Sequence, residues 1–503
     1  MLSIDMKIVR AGRLLDIAGH RAVATDILIQ GDKILEMGPP GLAAPEGTTV
    51  IDADDRVLMP GLVNTHTHGT GALAKGLMGD RWSLELLLNA SRSINGERTT
   101  EDKRLCALVA AVEMVRKGCT ACYDMFVEFP LPSIEGMTTV ARAYDEVGMR
   151  AVIASTMADR TLYEALPGLM EAIPEPLRRD VERIRMAPFE TSIAACREIL
   201  HDWPLDRSRV RPAVAPNIPL HCSDDFLVGC RDLAREFDVC IQTHLAESKV
   251  QAVLGLEKYG KTLTAHLHAL GLLGPEFSAA HAIWLDEDDA RMFADTGASV
   301  VHNPLSNMRF GSGLAAIEMM VRHGVNVGIG TDAVNSSDSL NMFEATRLAS
   351  LISRIQTFRR EDWLTSDQVL TMATEGSARA MGFGDEIGRL EPGFMADIVF
   401  LDLGYIHYVP LNDITRQIVF SENGAAVDSV MIGGRMILDK GQLTTIDEDK
   451  LRRDVETACE RLRTATAESV LFASKLEEYV GAFCATQTQH AYHVHRHMGD
   501  AGP

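Results

Sequence analysis

The chain has 503 residues, 46% of them hydrophobic and 24% charged, with a formal net charge of -21. That length suits one large domain plus a smaller one, and the acidic balance argues against binding nucleic acid or an anionic membrane through bulk electrostatics. The start, MLSIDMKIVRAGRLLD, has no apolar segment behind a basic one, and no uncharged apolar run is long enough to span a bilayer, so the chain reads as cytoplasmic. Nine cysteines, scattered without a framework, suit reduced thiols.

In chain order, residues 1–59 alternate short strand-like pieces with turns: KIVRAGRLLD, ATDILIQGDKILEMG, TTVIDADDRVLMP. The same texture returns over residues 388–445, which predicts a small β-sandwich domain assembled from both termini. VLMPGLVNTH then reads as a strand ending in His66 and His68, and residues two apart on a strand share a face. By itself this pair fits a metal site or a solvated strand end.

Residues 101–117 read as a helix: Thr99 caps it, Glu101 and Asp102 suit its first turn, and Gly118 ends it. Leu105, Leu108, Val109, Val112 and Val115 form its apolar stripe. Further strands are predicted at CTACYDMF, RAVIASTM, RVRPAVAP, VCIQTHLAE, FSAAHAIWL, ASVVHNPLSN and VNVGIGTDA, alternating with helical stretches. Eight such units over residues 60–387 predict an α/β fold, a (β/α)8 TIM-type barrel with its site at the C-terminal ends of the strands. Cys119 and Cys122 have C-x-x-C spacing but lie within a predicted strand, so they read as buried thiols rather than a redox pair. Residues 446–503 read as a helical extension and a polar tail. His490, His493, His495 and His497 of that tail fit a mobile or interface segment better than a second metal site.

The polar residues at strand ends are His66 and His68 on the first strand, His244 with Glu247 on the fifth, His281 near the sixth and Asp332 on the eighth. Each has a bland alternative as a rim histidine or a helix cap. Together, converging at one end of a barrel, imidazoles and a carboxylate suit a borderline divalent cation such as Zn²⁺.

PGLVNTHTH, THLAE and GTDAVNSSDSLNMF resemble the first-, fifth- and eighth-strand motifs of the amidohydrolase superfamily. That resemblance implies His66, His68, His244 and Asp332 as metal ligands and Glu247 as proton shuttle. It also implies that His281 contacts the attacking water or substrate and that Asp332 accepts the water's proton. RVRPAVAP lacks the lysine that bridges two metals in other members, so one divalent ion is implied, zinc first and iron second.

HLAES together with VVHNPLSNMRFGSG is similar to the nucleoside and triazine aminohydrolase branch. This implies an enzyme, a hydrolase cleaving a C–N bond of a small nitrogen heterocycle or urea-like compound. An S-adenosylhomocysteine or adenosine-type deaminase is one alternative. A non-catalytic scaffold is another, but it should show substitutions among the ligands, and here every position is filled. The sequence departs from the adenosine-type pattern: Asn217 replaces a histidine in PNIPLHCS, Glu97 alone could match the ribose-binding residue, and Arg309 and Phe310 replace Lys-Leu. Glu97, Asn217, Asn303 and Arg309 are the candidate substrate contacts. Related enzymes are commonly homodimers, and Leu462, Val470, Leu471 and Leu476 of the extension would expose apolar area on a monomer.

Overall fold

The computed structural model describes residues 5–497. Strands from both ends of the chain form one nine-stranded sheet, and the middle of the chain forms another. In the first, Arg56–Pro60 runs antiparallel to Ile398–Asp402, which joins the N-terminal strands to the C-terminal ones. The expected sandwich is hydrogen-bonded as a single path. Strand Met6–Asp16 shifts register between Val9 and Gly12, pairing with Thr49–Asp52 before the shift and with Arg56–Pro60 beyond it. Such a bulge bends a sheet. The two halves thereby enclose one core that includes Val9, Ile27, Ile29, Leu58, Ile398 and Phe400. Asp26 is buried beside it, accepting from Arg10 and from the backbone N–H of Gly41 at 2.8 Å.

In the second sheet the strands Leu62–His68, Cys119–Val127, Arg150–Met157, Val210–Pro216, Ile241–Leu245, Phe277–His281, Ser299–His302 and Asn326–Ile329 lie side by side in chain order. All are parallel. A short segment, Asp332–Ala333, pairs with Leu62–His68, so the sheet curls back on its first strand in a TIM-like manner. Arg150–Met157 is buried at every position, as strands covered on both faces are. Helix Thr100–Arg116 starts at Thr99, which shares a reciprocal capping box with Asp102, and Gly118 follows it at φ +72. Leu105, Leu108, Val112 and Val115 of its stripe are buried, and Val109 is half-buried. Cys119 and Cys122 are free, fully buried thiols.

The C-terminal extension forms helices Glu448–Ala465 and Ala467–Gln487. The second packs on helix Leu84–Asn95, where Asn89 Nδ2 donates to the Ala473 carbonyl at 3.0 Å and Trp82 Nε1 to Glu477 at 3.1 Å. Leu476 is buried, whereas Val470 and Leu471 remain exposed. The tail expected to be mobile or an interface is docked over its described part. Arg496 donates to the carbonyl of Ile283 at 2.8 Å, its own carbonyl accepts from Leu314 N at 2.8 Å, and His493 meets Asp286 at 2.7 Å. These bonds satisfy loop groups that follow strands Phe277–His281 and Ser299–His302. Among the described residues no helix is long and apolar enough to cross a membrane.

Candidate active site

Strand register places the polar residues. Asp332 lies opposite Thr67 and Ala333 opposite His68, which carries the end of the chain's last strand segment to the first. His244 lies opposite Ala280 and Leu245 opposite His281, so His244 and His281 stand one residue apart in level near the ends of their strands. Gly330 makes the approach feasible, because a Cβ there would sit 2.4 Å from Asn303 Oδ1 and 2.9 Å from His66 Cβ. His281 and Asp332 hold φ values of +70 and +63. Such conformations cost about 1–3 kcal/mol each for residues other than glycine and persist where the surroundings enforce them.

Ligand atoms of His66, His244, His281 and Asp332 lie within 4.8 Å of one another. His68 joins them: its Nε2 is 3.0 Å from His244 Nε2 and 3.6 Å from Asp332 Oδ1. Each imidazole is oriented from behind through Nδ1. His66 donates to Gln242 Oε1 at 2.7 Å, His68 to the Met125 carbonyl at 2.8 Å, His244 to the Asn217 carbonyl at 2.7 Å and His281 to Asn307 Oδ1 at 2.8 Å. With Nδ1–H committed to oxygen, every Nε2 presents a lone pair to the same small space. His66 Nε2 and His281 Nε2 have no hydrogen-bond partner although both rings are fully buried. Facing, unpaired lone pairs beside a carboxylate repel unless a cation sits among them, so the donor set fits one divalent metal.

The electrostatics agree. Burial, then the neighbouring imidazoles, push His68 down to about 4 and His244 well below the usual histidine value. Burial also takes His281 down to about 4. These rings are neutral near pH 7 and free to act as ligands or acceptors. Asp332 is raised by burial but lowered more by its contacts with His66 and His281, and it stays an anion. Glu247 is pushed well above the usual carboxyl value by burial and then by Asp332 and Glu85. Its Oε2 has no partner and lies 3.6 Å from His281 Nε2. Burial thus favours the protonated form of this carboxyl, the form suited to donating a proton at the edge of a cation site.

Above this cluster opens a cavity of about 130 Å³ lined by His68, His244, Glu247 and Asp332 at its floor. Of the four candidate substrate contacts only Asn217 lines it. Glu97 is exposed on the loop after helix Leu84–Asn95, and Arg309 lies outside, 3.8 Å from Asp80. Asn303 is fully buried with both side-chain polar atoms unpartnered, next to His302, whose ring burial pushes down to about 3. Phe310, noted in the sequence only as a departure, does line the cavity.

Sequence reasoning missed the groups behind the histidines. Gln242 was legible, since it lies two residues before His244 on the same face of a strand. Asn307 was not, because it reaches His281 from the short helix Pro304–Arg309. Asp124 was also missed; it accepts from Gly69 N at 3.0 Å and Tyr144 Oη at 2.8 Å, and burial raises it to about 6.

Oriented imidazoles, an anionic carboxylate and a buried carboxyl around one cation site are the makings of a metal-dependent hydrolase. Residues 57–437 match the amidohydrolase family, and the chain belongs to it. It is 31% identical over 439 residues to a 5'-deoxyadenosine deaminase of Methanosarcina barkeri, covering 87% of this chain and 93% of the relative. It is 32% identical over 437 residues to a 5-methylthioadenosine/S-adenosylhomocysteine deaminase of Syntrophomonas wolfei, covering 86% and 93%. Among solved structures it is similar to a zinc-bound adenosine deaminase of Xanthomonas campestris, with a TM-score of 0.80, 27% identity and coverage of 91% and 98%. An atrazine chlorohydrolase of Arthrobacter aurescens complexed with zinc shares the fold at a TM-score of 0.79, 23% identity and coverage of 90% and 99%. The chain is thus a metal-dependent aminohydrolase acting on C–N bonds.

Proposed function

We propose that the chain removes an exocyclic amine from a small nitrogen heterocycle of the adenosine, pterin or triazine kind, using one zinc ion, with iron as the second candidate. His66, His68, His244 and Asp332 would hold the ion. The observation that supports this most is the orientation of the imidazoles through Nδ1, which turns the Nε2 lone pairs toward Asp332. When bound, the ion supplies Lewis acidity that makes a water nucleophilic at neutral pH.

The chain's own groups do the rest. His281 Nε2, fixed by Asn307, accepts a hydrogen bond from the attacking water, and an Asp332 carboxylate oxygen takes up its proton. Glu247 gives its proton to a ring nitrogen of the substrate, which makes the adjacent carbon more electrophilic, and then assists departure of the amine. Water and the heterocyclic amine become a hydroxylated or oxo heterocycle and ammonia. Asn217 contributes to the substrate cavity, while Glu97, Asn303 and Arg309 act from outside it.

The proposed domain layout is 1–59 with 388–445 as a β-sandwich, 60–387 as the barrel and 446–503 as extension and tail. We read the barrel as (β/α)8, with Asn326–Ile329 and Asp332–Ala333 as one interrupted strand, a reading that the parallel strand order supports. We further propose a cytoplasmic homodimer that binds neither nucleic acid nor membrane; exposed Val470 and Leu471 support an interface on the extension. Light scattering tests the dimer. Ammonia release from adenosine, 5'-deoxyadenosine, guanine, pterin, aminotriazine and phenylurea by untagged, zinc-loaded protein tests the activity. Turnover of a phosphoester with no amine released would overturn it, and protein that retains no metal would favour the scaffold.

A further inference from the structure

We infer that the cavity selects a substrate whose non-reacting part is an uncharged apolar group, an aryl ring or branched alkyl chain, rather than a sugar diol or a charged arm. The inference rests on the aminohydrolase reading for the reacting carbon and adds what the rest of the molecule must be.

Helix Leu84–Asn95, LELLLNASRSIN, carries two apolar faces. Leu86 packs toward helix Ala467–Gln487, where a Cβ on Gly481 would stand 3.9 Å from it. Leu84, Leu87 and Leu88, at the i, i+3, i+4 spacing of a core stripe, instead line the cavity. Phe129, Leu131 and Met186 line it as well. Phe129 keeps 38% of its surface exposed and Leu87 and Leu88 are half-buried, so this stripe has apolar area still to cover.

Basic partners are absent from the wall among the described residues. Among the described residues no lysine or arginine lines the cavity, so a carboxylate or phosphate entering it would lose water and gain no partner. The one wall carboxylate above the floor is Glu128, and both its oxygens are engaged. One binds Lys103; the other accepts from Ser133 N at 2.6 Å and Ser133 Oγ at 2.9 Å. A vicinal diol therefore finds no free carboxylate, and Glu97 lies outside. Two buried wall atoms remain unpartnered, Asn95 Oδ1 and Thr156 Oγ1, enough to orient a ring N–H and one heteroatom.

The test uses matched pairs that share a reacting group: 9-benzyladenine against adenosine, and N-benzylmelamine against N-(2-hydroxyethyl)melamine. Ammonia release gives kcat/KM for the zinc-loaded enzyme, and calorimetry on the Glu247→Gln protein gives Kd independently of turnover. The expected result is a preference of at least about tenfold for the benzyl member, in kcat/KM or in Kd. A smaller ratio, or no binding of either benzyl compound, overturns the inference. If no compound releases ammonia, the aminohydrolase reading fails while the Kd ranking still decides this one. Leu87→Glu should lower the benzyl preference about tenfold; an unchanged ratio would remove this helix from the selecting wall.

Discussion

Replacing Glu247 with Gln removes one proton donor and little else. The side chain is 2% exposed, and an amide fills the same volume. Its backbone N–H keeps the bond to Gln251 Oε1 at 3.0 Å, and the adjacent Ser248 Oγ still donates to Glu85 at 2.6 Å. Oε2 has no partner in the resting site, so the ground state loses no hydrogen bond through that atom. The cost therefore falls on the step in which a proton must move. General acid catalysis contributes about 10²–10⁴-fold, or roughly 3–5 kcal/mol of barrier. We expect kcat to fall by that factor, kcat/KM to fall with it, and KM to change little. The assay is ammonia release by both proteins, with metal content measured by elemental analysis on the same samples. A Gln variant that keeps more than a tenth of wild-type turnover, or that loses its metal in proportion to its activity, refutes the role.

Stripping the metal with a chelator should lower Tm, and restoring zinc at about 100 times its Kd should return about 2.7 kcal/mol of stability; His66→Ala or Asp332→Ala should abolish that response in a thermal-shift assay. Asn307→Leu should cost about 10–100-fold in kcat by freeing the His281 ring, whereas Asn307→Asp, which still accepts from Nδ1, should retain more of it in the same turnover assay. Gly330→Ala should destabilise by about 1–3 kcal/mol through its collision with His66 and Asn303, read in urea melts, and should lower zinc occupancy. Asp26→Asn should cost about 1.5–3 kcal/mol at pH 7. Burial raises the Asp26 carboxyl, but bonds from Gly41, Arg10, Ala11 and Leu42 hold it below 3.8. Its contribution is thus present above pH 3.8 and lost as pH falls through the folded value, so wild type and variant should converge in acid melts.

Local signals carried much of the site. His66 and His68 were readable as a pair because strand alternation fixes their common face, and the helix starting at Thr100 was readable because capping chemistry is local. Glu97 and Arg309 do not line the cavity, for the opposite reason. Their place in the sequence put them on the right loops, but whether a loop side chain turns into a cavity depends on what packs behind it. The docking of the tail was not readable either, since the carbonyls that hold Arg496 come from a loop some two hundred positions earlier.

The sequence by itself determined the alternation of strands and helices, the pairing of the termini into one sheet region and the residue types suited to a cation, because each depends on periodicity and side-chain chemistry. Only the tertiary structure decided the rest. Sheet register sets Asp332 against Thr67, Gln242 and Asn307 choose the tautomers, and the docked helix Ala467–Gln487 occupies one face of Leu84–Asn95 while another lines the cavity. Those are contacts between residues far apart in the chain, and no local pattern encodes which side chain reaches across.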